Sequence, residues 1–226
     1  MSEQLHQALT TIIGMPYFKN DHAQSGKTTQ GHERAVANKI GEAGFIEDQR
    51  DLYPDLKTNV LRSWLNTQND TKLREVTKGI QPGTYILQPG GSQACPDILV
   101  YDFTDRFVAV ECKSGKGQGA PMWNDSLPKP DVVYVLASGT LNSTTVFLGR
   151  DVITKELCDT QAEMLEKLNE IVNEYKEQFE KLDNFNRGWD PKLRPQNFQK
   201  GADKGNYFKH TNKAACESNV LGYVQL

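Results

Sequence analysis

No run of the 226 residues approaches the ~20 consecutive apolar side chains that a membrane-crossing helix needs, and mean hydropathy is low at −0.61. The opening residues, Met1-Ser2-Glu3-Gln4-Leu5-His6, lack the basic-then-apolar pattern of a secretory signal. The four cysteines (Cys95, Cys112, Cys158, Cys216) make no C-x-x-C pair, and the four histidines (His6, His22, His32, His210) no H-x-x-x-H pair. A structural zinc site is therefore not expected. Reduced thiols in a cytoplasmic protein are expected instead, with no membrane contact. The sequence holds no internal repeat and no low-complexity tract. A phosphate-binding loop is also missing. Ser25-Gly26-Lys27-Thr28 has the end of that motif, but Asp21 stands where its first glycine belongs. No ATP is expected.

What is present suits one α/β domain over residues 1–226. A chain of this length buries about 70–75% of its unfolded surface, so it needs no disulfide or metal staple. The net charge of −3 is unevenly spread. Residues 151–183 carry ten acids against four lysines, whereas 184–213 carry seven bases against two acids. Local potential governs approach to a phosphate backbone, so the basic C-terminal segment, 184–226, can face nucleic acid despite the acidic sum.

Leu5, Ala8, Leu9, Ile12 and Ile13 recur at helical spacing and predict a helix over 3–14. Gly31–Ala43 predicts a second, and 56–65 and 70–78 two shorter ones. Thr84–Gln88 reads as a strand. Asp97–Phe103 and Arg106–Lys113 form the clearest pattern, two strands rich in Val, Ile, Phe and Tyr around a polar turn at Thr104-Asp105. Strands are also expected at Val132–Ala137, at Thr144–Leu148 and near Val220–Val224. Residues 151–182 predict a long helix, with Leu157, Met164, Leu165, Leu168, Ile171, Val172, Tyr175 and Phe179 as its buried stripe. The fold expected is a central mixed β-sheet, carrying a catalytic hairpin, flanked by helices.

The hairpin carries the chemistry. A two-residue loop pairs Phe103 with Arg106 and sets Asp97 opposite Cys112, a near neighbour of Glu111 and Lys113 across the ladder. Glu111 and Lys113, two apart, share one face of their strand. Folding alone gives no reason to gather two carboxylates and an ammonium at the end of an apolar sheet, because buried charge is costly unless paired or metal-bound. Two carboxylates with the backbone carbonyl of Cys112 make an all-oxygen half-shell suited to Mg²⁺. Such an ion activates water and screens charge on a phosphoryl oxygen. Lys113 is expected to position or deprotonate that water, since a buried lysine beside a metal loses pKa.

Pro96-Asp97, an apolar hairpin, then Glu111-Cys112-Lys113 resemble the signature of the PD-(D/E)XK nucleases, and in style the type II restriction endonucleases. The resemblance covers about residues 31–150. It implies a restriction-endonuclease-like fold, with Asp97 and Glu111 as Mg²⁺ ligands and Lys113 as a catalytic residue. Glu33, within Gly31-His32-Glu33, loosely matches the position of an accessory acid on that superfamily's leading helix. The implied activity is Mg²⁺-dependent hydrolysis of double-stranded DNA at a short symmetric site. A two-fold symmetric site is most simply read by a homodimer.

DNA contacts are expected from Lys116 and Gln118 in the glycine-rich loop and from Trp123 and Asn124 beyond it. Arg187, Lys192, Arg194, Asn197, Lys200 and Lys204 in the basic segment are the other candidates. For Trp123, packing of a loop onto the core is the competing explanation. Two other readings stand beside the restriction enzyme: a repair or junction-resolving nuclease of the same superfamily, and a DNA-binding module without catalysis.

Overall fold

The computed structural model describes residues 3–18, 31–92, 94–115, 121, 123–124, 127–191, 193, 196–197, 199 and 206–225. It is an α/β protein. The helices are α1 (Glu3–Ile12), α2 (Gly31–Glu42), α3 (Thr58–Thr67), α4 (Thr71–Val76), α5 (Lys155–Leu182) and α6 (Lys213–Tyr223). The strands are β1 (Ile46–Asp48), β2 (Thr84–Leu87), β3 (Ile98–Tyr101), β4 (Phe107–Gly115), β5 (Trp123–Asn124), β6 (Val132–Ser138), β7 (Ser143–Leu148) and β8 (Gln196–Asn197). Among the described residues, no helix is long and apolar enough to cross a membrane.

Six strands make one mixed sheet in the order β1-β2-β3-β4-β6-β7, and β5 pairs with β8 in a separate two-stranded ribbon. The pairs β1–β2 and β4–β6 are parallel, and the rest of the large sheet is antiparallel. Alternation along the strands divides the core in two. Val100, Val108, Val110, Val133 and Val135 meet Leu5, Leu9, Ile12, Val36 and Ile40 of α1 and α2 on one face. Leu99, Ala109, Tyr134 and Leu136 meet Leu61, Trp64, Leu65 and Leu73 of α3 and α4 on the other. A sheet buried on both faces explains why its strands read as continuous apolar runs. One edge is β1, only three residues long, where Glu47 accepts from Arg34 at 2.5 Å and from the Tyr85 hydroxyl at 3.1 Å. The other edge is β7, whose Thr144 carbonyl accepts the Gly14 N–H at 2.8 Å.

The β3–β4 turn differs from expectation by one residue. Tyr101 faces Phe107 and Ile98 faces Val110. The loop is the three residues Phe103-Thr104-Asp105, with Asp105 left-handed at φ +64°. Asp102 shapes it. Its Oδ1 accepts from the Thr104 N–H and hydroxyl, both at 2.8 Å, and from the Arg106 N–H at 3.0 Å. Asx-type side-chain bonding of this kind, with a left-handed third residue, is what a three-residue hairpin loop needs.

Two other expectations are corrected. The segment near Val220–Val224 is not a strand but the end of α6 and its cap, with Cys216, Val220 and Val224 buried on one side at i, i+4, i+8. The short apolar run had masked that spacing. The stripe of α5 is not buried. No residue of that helix is buried, and Met164, Ile171 and Tyr175 are about half exposed. Periodicity shows that a helix has an apolar face, not that its own chain covers it.

His32 lies on the inner side of α2, fully buried. Burial lowers its pKa to about 4 from 6.5, with the backbone at Val135 opposing weakly. The folded state therefore refuses a proton that the unfolded chain takes up below pH 6.5. Stability conferred by neutral His32 is complete above that pH and is lost as pH falls toward 4, by up to about 3 kcal/mol. Urea unfolding of wild type and His32→Leu across this range is expected to show a steeper acid loss in wild type. Parallel profiles would rule the burial effect out.

Candidate active site

Asp97 sits one residue before β3, between two strands. The Gln88 N–H donates to the Asp97 carbonyl at 2.6 Å, and Asp97 Oδ2 accepts the Cys112 N–H at 2.7 Å. Carrying the β3–β4 register on by one residue sets Asp97 directly across from Glu111 rather than Cys112. Opposed residues share a face, and a one-residue slip moves every side chain to the other side. The corrected register is thus the one that lets Asp97 join Glu111 and Lys113. Cys112 turns the other way, its thiol buried among the valines beneath α1 and α2.

Lys113 Nζ donates to Glu111 Oε1 at 2.6 Å. Glu111 Oε2 is buried and makes no hydrogen bond. Glu33 reaches the same place from the first turn of α2, 4% exposed, and accepts from Gln88 Nε2 at 3.0 Å. Hairpin spacing pointed to Asp97, Glu111 and Lys113, and Glu33 came only from the family resemblance; the structure brings all four into mutual electrostatic range.

Three carboxylates share the site with one ammonium. Burial raises the Asp97 pKa to about 8, reinforced by Glu111 and Glu33 and opposed by the Cys112 N–H and Lys113. Burial likewise raises Glu33, against the hydrogen bond from Gln88. For Lys113, burial pulls the pKa down, but Glu111 and then Asp97 override it, so the net direction is up. The expected depression belongs to a lysine beside a bound metal ion; without metal, Glu111 holds Lys113 as a cation.

The donor set suits a hard divalent cation. Asp97, Glu111 and the Cys112 carbonyl are all oxygen donors, and Glu111 Oε2 is buried without a hydrogen bond while Oε1 pairs with Lys113. Among the described residues, no group of three or more His, Cys, Asp or Glu side chains forms a ready-made metal cage. Mg²⁺ does not require one, because it keeps several waters and takes one or two carboxylates.

Two neighbours were not anticipated. Gln88 orients Glu33, and the signal was its place at the end of a predicted strand running beside Asp97. Cys95 lies against Glu111, and burial, then that carboxylate, hold its thiol well above the usual pKa.

The expected DNA contacts fare unevenly. Trp123 is 3% exposed, packed edge-on against Tyr134 and Phe147 with ring centroids 5.2 and 6.5 Å apart. It is a core residue, with its indole N–H 3.4 Å from the Gln199 side-chain oxygen. Asn197 is half-buried in β8, and its Oδ1 accepts from Gln161 Nε2 at 2.6 Å. The backbone of Asn124 pairs with Gln196. Arg187 is exposed just past α5. Lys116, Gln118, Lys192, Arg194, Lys200, Lys204 and the side chain of Asn124 lie outside the described residues, as do Ser25-Gly26-Lys27-Thr28.

Asp97 keeps a proton in the fold that the unfolded chain releases near pH 4, so it costs stability progressively as pH rises from about 4 toward 8. Without divalent cation, Asp97→Asn is expected to be more stable than wild type at pH 8, by about 1–3 kcal/mol. Added Mg²⁺ is expected to raise the melting temperature of wild type but not of the variant. Equal metal-free stabilities at pH 8 would contradict the electrostatics described. Comparison with known proteins adds nothing to this geometry: no family model, curated protein or solved structure matches the chain.

Proposed function

We propose that the chain is a Mg²⁺-dependent endonuclease of double-stranded DNA, of the type II restriction kind, acting at a short symmetric site. The observation that carries this reading is the convergence of Glu33, Asp97, Glu111 and Lys113 at one end of a β-hairpin, where Glu111 has a buried oxygen without a partner. Its hairpin and mixed sheet support a restriction-endonuclease-like fold.

In this reading Asp97, Glu111 and the Cys112 carbonyl hold the Mg²⁺, which supplies charge neutralisation at the phosphoryl group and a lowered pKa for water. The chain's own residues do the rest. Asp97 is held by the Cys112 N–H, so its position is set by the backbone. Gln88 holds Glu33 at the rim, where that carboxylate can orient water. Lys113 keeps its proton and offers N–H bonds to an attacking water or to a developing phosphoryl charge. In the hydrolysis, the water oxygen bonds to phosphorus as one ester P–O bond breaks; a proton of the water passes to solvent, and the departing sugar oxygen takes one from solvent to leave as a hydroxyl.

Linear phage DNA incubated with the protein and Mg²⁺ is expected to give discrete fragments, and with EDTA none. A smear would favour a repair-type nuclease, and intact DNA with every metal a binding module. Lys113→Ala is expected to retain DNA binding while cleavage falls by about 10³-fold or more. Undiminished cleavage in that variant would overturn the site assignment.

A further inference from the structure

Helix α5 carries an apolar face that the described part of its own chain does not bury. Among the described residues its ties to the body include polar ones: Gln161 accepts from the Leu127 N–H at 2.9 Å and donates to Asn197, the Cys158 thiol donates to the Pro128 carbonyl at 3.8 Å, and Lys176 pairs with Asp190 at 3.4 Å. Leu157, Met164, Leu168, Ile171, Tyr175 and Leu182 are each between 37 and 75% exposed. Together with Gln161 and Gln178 they alternate at spacings of four and three through 28 helical residues, which is a heptad seam. Contiguous exposed apolar surface of this extent marks an interaction site.

The order of residues along the seam selects its occupant. Two copies of the helix laid antiparallel, centred between Leu168 and Ile171, match at every layer. Leu168 meets Ile171 of the second copy, Met164 meets Tyr175, and Leu157 meets Leu182. The two polar seam positions, Gln161 and Gln178, fall opposite each other. The flanking row of Cys158, Leu165 and Val172 is half-buried and lies toward the chain's own body. On the other flank Lys167 meets Glu174, twice by symmetry. A parallel pair instead sets Lys167 against Val172 and Glu174 against Phe179, charge on apolar surface, which is unfavourable. A sequence that reads as its own complement in one direction fits a second copy of itself.

We propose that α5 is the homodimer interface of this protein, pairing antiparallel with α5 of a second copy about a two-fold axis between Leu168 and Ile171. The pairing does not rest on the nuclease reading, and its test uses no DNA. At about 1.5 Å per residue the seam from Leu157 to Leu182 runs for about 38 Å, a length that suits an interface of standard size.

Sedimentation of the full chain at micromolar concentration is expected to show a dimer. Ile171→Glu is expected to give a monomer with unchanged circular dichroism, because Ile171 is half exposed and belongs to neither buried cluster of its own fold. Lys167→Glu is expected to raise the dimer dissociation constant about tenfold. Adding Glu174→Lys to that variant is expected to restore it, since the two sites face each other only across the antiparallel axis. A monomeric wild type, a dimer that survives Ile171→Glu, or a double charge reversal that fails to rescue would each overturn the proposal.

Discussion

The side chain of Asp102 decides on which side of the sheet the acidic residues gather. By collecting two N–H groups and a hydroxyl on one oxygen it holds a three-residue loop, and that loop sets the β3–β4 register. With one residue fewer in the loop, Asp97 would lie with Cys112 on the valine face. Glu111 and Lys113 would then be left on the opposite face without it. A turn several residues away from the chemistry therefore acts as its positioning device. Arg74 of α4 anchors the same turn from outside, donating to the Asp105 carboxylate at 2.9 Å and to its carbonyl at 2.7 Å.

Charge imbalance is the second constraint. Glu33, Asp97 and Glu111 are buried around a single ammonium, and the fold tolerates them by leaving Asp97 protonated and by giving each a donor: Gln88, the Cys112 N–H and Lys113. Such an arrangement works against folding, since replacing one partner by a neutral group relieves repulsion. Under the proposed nuclease reading, that cost would be the counterpart of a site ready for a cation.

Strong periodicity made much of this legible. The helices α1 and α2 and the long strands of the sheet repeat apolar residues often enough to be read, and the acid, acid and lysine stood out as charges at the ends of apolar runs. What failed had local causes. β1, β5 and β8 are two or three residues long and carry no period. The loop was misjudged because its left-handed position holds Asp105, where glycine or asparagine would have announced it. The helix α6 was hidden by a cluster of β-favouring residues, Val220 to Val224, whose spacing matters more than their propensity. Trp123 looks like a nucleic-acid contact by residue type alone, and only packing shows that its ring is buried against Tyr134 and Phe147.

The rims of the sheet carry their own consequence. β1 ends the sheet after three residues with Glu47 and Asp48, and Gly14 occupies a carbonyl of β7 at the far side. Unpaired backbone long enough to template another strand is therefore scarce at the β1 rim. Molecules of this protein that meet at that rim find little to zip onto, which disfavours cross-β growth and strand exchange through it. Recognition there falls to side chains, whose pattern can be selective, instead of to main-chain pairing, which accepts almost any sequence.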